Sequence, residues 1–268
     1  MPTGEDTSVR ISVLGSGSGG NATLIATERT RVLLDAGFSR RETQKRLRAI
    51  GEPADALDAI VISHEHCDHI SGMVPLAGGL HVPVYMTELA RRVVPADPAE
   101  VRVMPHFELF RAGQTLAIND IEIETFTIPH DSVDPVAFRI QAEGVRVGFC
   151  TDLGYIPDSV KVHLRGCHCL ILESNHDLDM LKVGPYPWVV KQRVMSRTGH
   201  LSNAAVAEFL AQDYDGSAAV LVLAHLSENN NHPALAQLSA DQALTSREHS
   251  STRLVISSQH IPTEVFRF

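Results

Sequence analysis

Apolar positions in this chain come in short runs broken by glycine, proline and polar residues, the pattern of strands separated by turns. Runs at 9–14, 22–26, 31–34 and 59–62 predict four strands, and another is predicted at 82–86. A meander follows at 114–117, 121–128, 136–141 and 145–150, with further strands at 169–172, 218–223 and 253–256. Helical segments alternate with the later strands at 176–183, 188–196, 202–212 and 233–244. In the first half, "SRRETQKRLRAIG" reads as an amphipathic helix with Ser39 as N-cap and Gly51 as terminator. The apolar segment 70–76 fits neither period, and no internal repeat is present. Short mixed strands with helices in both halves predict a layered α/β architecture with two sheets, rather than an all-β sandwich or a regular βαβ alternation.

Within the opening segment "ISVLGSGSGGNATLIAT", Gly15 to Gly20 fits G-x-G-x-x-G directly after a predicted strand. A dinucleotide fingerprint needs its last glycine to open a helix that receives the pyrophosphate. Residues 21–27 are instead rich in β-branched side chains and read as a second strand, so the fingerprint is incomplete.

The chain has 268 residues, 44% of them hydrophobic and 21% charged, which suffices for a large core in one domain or two packed halves. Its first ten residues are polar, and no run approaches the length that spans a bilayer, so a soluble, cytoplasmic protein with no membrane partner is expected. A net charge of −9 counts against a broad nucleic-acid-coating surface while leaving room for a local one. Arg41, Lys45 and Arg48 share one face of the basic helix, either as a solvated surface or as such a track. Cys67, Cys150, Cys167 and Cys169 are irregularly spaced, which predicts free thiols. Cys167-His168-Cys169 runs into an apolar strand and lacks the second ligand pair of a zinc finger.

The densest chemistry lies in "AIVISHEHCDHISG", where an apolar strand delivers His64, His66, Asp68 and His69 at its end. Clustered in this way they repel one another unless a cation offsets them, and imidazole with carboxylate suits zinc, iron or manganese. His64 and His66, two apart on extended chain, point the same way and can grip one metal. Asp68 and His69, on the turn that follows, can grip a second. A two-metal site then requires three more ligands, and His130, Asp152 and His225 stand at the ends of three further apolar runs.

This H-x-H-x-D-H run, with Asp35 upstream in "RVLLDAG" and with His130, Asp152 and His225, resembles the metallo-β-lactamase superfamily along essentially the whole chain. The resemblance implies an αββα four-layer sandwich, one domain over residues 1–268, with two divalent metal ions at the edge of its sheets. "GSGSGGNAT", "ESNHD", "GHLSN", "AHLSENNN" and the closing "PTEVF" resemble its YycJ-like (WalJ-like) branch. Position by position, the pattern implies His64, His66 and His130 on one metal and Asp68, His69 and His225 on the other, bridged by Asp152. Asp35 would stand behind them, accepting a hydrogen bond from a ligand imidazole. Two small departures are Cys67 inside the first motif and Gly19 where relatives often carry a charge. In this fold the glycine run becomes a turn between strands, and the dinucleotide reading falls away. Ser16, Ser18 and Asn21 stay candidates for contacting a phosphate.

Two divalent metals sharing a water supply a hydroxide at neutral pH, for thioesters, lactams or phosphodiesters alike. "GHLSN" narrows the choice: it resembles the histidine-hydroxyl element of the phosphodiesterase branches, which makes His200 a candidate general acid beside Asp68. Ser202 in the same motif also reads as a helix N-cap. Lys191, Arg193 and Arg197 either meet backbone phosphates or are solvated charges, and His176 either faces the substrate or caps a helix. The branch implies an exonuclease acting from the 5′ end of double-stranded DNA and linked to DNA repair. The alternatives are a phosphodiesterase for small or cyclic diesters and, outside enzymes, a non-catalytic metal- or nucleic-acid-binding module. The filling of all seven ligand positions argues against the last.

Overall fold

The computed structural model describes residues 9–94, 104–246 and 251–268. The first half runs β1 (Arg10–Gly15), β2 (Ala22–Ala26), β3 (Arg31–Leu34), α1 (Arg40–Ala49), β4 (Ala59–Val61), α2 (Cys67–Ile70), α3 (Met73–Leu80), β5 (Val84–Thr87), α4 (Glu88–Val93) and β6 (Phe107–Phe110). The second half runs β7 (Thr115–Ile118), β8 (Ile121–Thr127), β9 (Val136–Ala142), β10 (Val145–Cys150), α5 (Asp158–Leu164) and β11 (Cys169–Glu173). It continues with α6 (Leu178–Val183), α7 (Trp188–Val194), α8 (Asn203–Gln212), β12 (Val220–Ala224), α9 (Pro233–Ser246), β13 (Arg253–Ile256) and β14 (Phe266–Arg267).

Two seven-stranded sheets result, ordered β14-β1-β2-β3-β4-β5-β6 and β13-β12-β11-β10-β9-β8-β7. Each begins as an antiparallel meander, β1 to β3 and β7 to β10, and continues as parallel strands, β3 to β6 and β10 to β13. Period-two alternation explains the layering. Val32 and Leu34 of β3 enter a central core shared with Ile123, Phe138, Ile171 and Val222 of the facing sheet. Leu33 points the other way, into an outer layer with Leu47 of α1 and Met73 and Leu76 of α3. On the far side, Leu170, Leu172, Leu221 and Leu223 pack beneath Val206 and Phe209 of α8 and Ala236 and Ala240 of α9. The architecture is thus the αββα sandwich that the resemblance implied.

α1 begins at its expected cap, where the Ser39 hydroxyl accepts from the Glu42 amide. The strand expected at 82–86 starts later, at Val84. The unassigned 70–76 segment turns into α2 and α3, and "MVPLAGGL" is helical despite Pro75, Gly78 and Gly79. Pro75 falls in the first turn, where its missing N–H is harmless, and burial of Met73, Val74, Leu76 and Ala77 overrides the weak local propensity. β6, β14, α4 and α5 went unanticipated. No helix among the described residues is long and apolar enough to cross a membrane.

Candidate metal centre

Every expected ligand outside α2 lies just beyond the carboxyl end of a strand. β4 leads to Ser63, His64 and His66, β8 to His130, β10 to Asp152 and β12 to His225, while β3 leads to Asp35. Asp35, Asp152 and His225 are non-glycine residues with φ of 59°, 61° and 56°, so the chain breaks out of its strand at each one. Such left-handed conformations cost roughly 1–3 kcal/mol each, and functional sites are where they collect. The short helix α2 adds Asp68 and His69.

These residues converge from both sheets. His64, His66 and His130 bring ligand atoms within 4.8 Å of one another, and so do Asp68, His69 and His225. Within the first trio, His130 Nε2 lies 3.2 Å from His66 Nδ1. Within the second, Asp68 Oδ2 lies 3.3 Å from His225 Nε2 and 3.5 Å from His69 Nε2. Asp152 sits between, with Oδ2 3.3 Å from His69 Nε2 and Oδ1 3.2 Å from His225 Nδ1, and it groups with His64 as well.

Protein partners fix the imidazoles from behind. His69 Nδ1 meets Asp35 Oδ2 at 2.8 Å, His130 Nδ1 the Gly199 carbonyl at 3.2 Å, and His225 Nδ1 Glu173 Oε1 at 2.9 Å. His64 Nδ1 meets the Ser63 hydroxyl at 3.0 Å, and that hydroxyl in turn donates to Asp35. In all four rings this leaves Nε2 on the other side, that of His69 lying 3.1 Å from Asn21 Nδ2, an arrangement by which outer partners set a ligand tautomer. His64 Nε2 and Asp152 Oδ2 are buried without a hydrogen-bond partner. Leaving such groups unsatisfied costs about 1–3 kcal/mol each, a cost that ligation removes. The donor set, its orientation and these orphaned atoms fit a divalent cation.

Residues 30–226 match the β-lactamase superfamily domain. The chain belongs to the metallo-β-lactamase superfamily. Its similarity to the YycJ and WalJ proteins places it in that branch. It is 33% identical to exodeoxyribonuclease YycJ of Bacillus anthracis, over 88% of this chain and 89% of the relative. It is 34% identical to exodeoxyribonuclease WalJ of Streptococcus pneumoniae, over 85% of this chain and 86% of the relative. In solved structures, the metallo-β-lactamase fold protein YhfI of Bacillus subtilis superposes with a TM-score of 0.72 at 20% identity, covering 97% of this chain and 99% of YhfI.

A cleft of about 330 Å³ opens at this centre, bordered by Ser18, Asp68, Asp152, Arg193, His200 and His225. His200 Nδ1 meets Glu173 Oε1 at 2.8 Å, so one carboxylate oxygen serves both His200 and His225. The other oxygen of Glu173 accepts from the Leu153 and Leu201 amides, each at 3.0 Å. Burial works against charge on Glu173, but the imidazoles of His200 and His225 outweigh it and hold the acid well below the usual carboxylate range. Burial likewise opposes a proton on His200, yet Glu173 and Asp152 raise its pKa. Against the same opposition, Asp152, Asp68 and Glu173 push His225 up to about 10. For His64, burial and the neighbouring imidazoles act together and lower its pKa well below the usual value.

Glu173 opens the motif "ESNHD" but has no role in the sequence analysis, though "LILESN" carries the same signal as the ligands, an acidic residue closing an apolar run. Ser16 and Asn21 were expected at the phosphate; both are buried and hold the site together instead. Ser16 Oγ accepts from the His225 amide at 2.9 Å and donates to Asn21 Oδ1 at 2.9 Å, and Asn21 Nδ2 donates to Asp68 Oδ2 at 3.2 Å. Ser18 is the exposed hydroxyl of that turn. Against Asn21 and Asp68, Gly37 admits no side chain, because a Cβ there would collide with the Asp68 carbonyl. His176 neither borders the cleft nor caps α6: it is buried, and Asp177 caps that helix. Lys191 is also buried, its ammonium donating to the Lys182 carbonyl at 2.7 Å, out of reach of a phosphate. Arg193 borders the cleft and pairs with Asp131, and Arg197 stacks on Tyr155. Arg41, Lys45 and Arg48 are exposed on α1, whereas Arg46 turns inward to the Leu14 and Gln259 carbonyls. All four cysteines are free, and Cys67 alone is exposed, in the cleft wall.

Proposed function

We propose that this superfamily member is a nuclease, an exonuclease that hydrolyses phosphodiester bonds of double-stranded DNA from the 5′ end at a two-metal centre. One observation carries the reading: a buried carboxylate, Glu173, ties His200 in the cleft wall to the candidate ligand His225. The names of the YycJ and WalJ relatives, which match along most of their length, support the same substrate class.

His64, His66 and His130 would hold one cation and Asp68, His69 and His225 the other, with Asp152 shared. Zinc, manganese and iron all suit these donors. Bound there, the cations would activate water and stabilise the negative charge that gathers on the phosphoryl oxygens. Glu173 fixes the His200 ring through Nδ1 and favours its charged form. Nε2 is thereby left to the cleft, where it donates a proton to the departing alkoxide oxygen of the scissile bond. Asp68 reaches the cleft wall with 17% of its side chain exposed, and it accepts a hydrogen bond from the attacking water. Arg193 and Ser18 stand in the same wall for the flanking phosphates, and the exposed cations of α1 supply a local positive track on an acidic protein.

Removal of metal tests this reading. Dialysis against a chelator is expected to abolish DNA digestion, and added manganese or zinc to restore it. Digestion that persists with the metal content below one ion per chain would refute the metal-dependent mechanism.

A further inference from the structure

Helix α7 is poorly covered for the side chains it carries. Only Lys191 is buried along it, while Trp188 is 61% exposed, Val189 76% and Val190 38%. Large apolar side chains left open in a cluster of this kind mark a binding site. The same helix reaches the active-site cleft, since Val190, Arg193 and Val194 line it beside His200 and Asp152. Val190 is thus at the border of the cleft, and the exposed Trp188 stands two residues before it on the same helix. Two guanidinium groups follow along the chain: Arg193, in the cleft wall and paired with Asp131, and Arg197, whose Cζ lies 4.1 Å over the Tyr155 ring. An indole and valines joined to guanidinium groups match a nucleobase carried on an anionic backbone. Guanidinium groups on and just after this helix favour an occupant that carries negative charge over an uncharged apolar surface of a protein partner or a second copy of the chain.

We propose that Trp188, at the exposed start of α7, is a stacking platform for unpaired bases beside the cleft that would hold the scissile phosphate. This inference rests on the nuclease reading. Unpaired bases are its ligand because a base within a duplex already has both faces stacked. The platform thus favours ends that are frayed or carry a single-stranded tail.

Trp188 is the only tryptophan in the chain, so fluorescence excited at wavelengths that tyrosine does not absorb reports on this position alone. The metal-loaded protein would be titrated with a duplex whose single-stranded tail carries hydrolysis-resistant phosphorothioate linkages. A saturable change in fluorescence is expected, and the same duplex with an abasic tail should leave the signal flat. In digestion of an ordinary tailed duplex, Trp188→Ala is expected to raise KM about tenfold with kcat unchanged, and Trp188→Phe to restore KM. An equal response to the abasic tail would overturn the platform, as would a fluorescence change that follows protein concentration without DNA. DNA digestion with a silent Trp188 would overturn the platform alone. No digestion of any DNA would remove the nuclease reading and the platform with it.

Discussion

Replacing Asp152 by alanine is expected to abolish DNA digestion and bound metal together. Its carboxylate approaches ligands of both clusters: it groups with His64 and His69, and it lies 3.2 Å from His225. Loss of a supporting partner behind a ligand costs about 10–100-fold in metal affinity or activity, and loss of a shared ligand should exceed that. The substitution also places alanine at a φ of 61°, which only some residues tolerate. Asp152→Asn keeps a side chain suited to that conformation, so it separates lost ligation from backbone strain. Both variants should keep the circular dichroism of the parent and lose metal by atomic emission. A digesting Asp152→Ala protein would contradict the shared-ligand assignment.

His200→Ala is expected to keep its metal and lose about 10²–10⁴-fold in kcat, the usual worth of a positioned general acid. The distinction matters because Asp152, Glu173, His200 and His225 also lie close enough to group around one ion. In that arrangement His200 would be a ligand, and its removal would strip metal. The hydrogen bonds speak for the acid role, since Glu173 Oε1 already occupies Nδ1 of both imidazoles. Glu173→Gln should therefore impair both functions, lowering kcat through His200 and metal affinity through His225. Equal metal loss in the His200 and Asp152 variants would overturn the assignment.

The ligands outside α2 were legible because each lies where a strand ends, and an apolar run closing on histidine or aspartate needs no knowledge of the fold. Glu173 carried the same mark but was read only as far as Leu172, one residue short of the end of β11. Ser16 and Asn21 misled for a different reason. Their hydroxyl and amide could be seen as polar groups in a glycine turn, but Ser16 meets His225, 209 positions away, and no local pattern encodes that contact. Lys191 reads as a surface cation from composition, and only the carbonyl of Lys182 explains its burial. In the fold, strands with clean alternation or long apolar runs were placed to within a residue or two. α3 was not, because its helix follows from burial against a sheet rather than from its Pro75 and Gly78-Gly79 sequence. β6 and β14 are short strands at sheet edges, specified by the partner strand they join.

The most direct test of the nuclease claim is digestion of 5′-phosphorylated duplex DNA, labelled at either end, by the manganese- or zinc-loaded protein beside its Asp152→Ala variant. Stepwise loss from the 5′ end by the parent, absent in the variant, is the predicted result. Intact DNA after incubation with folded, metal-loaded parent would contradict it and point to small phosphodiesters as the substrate.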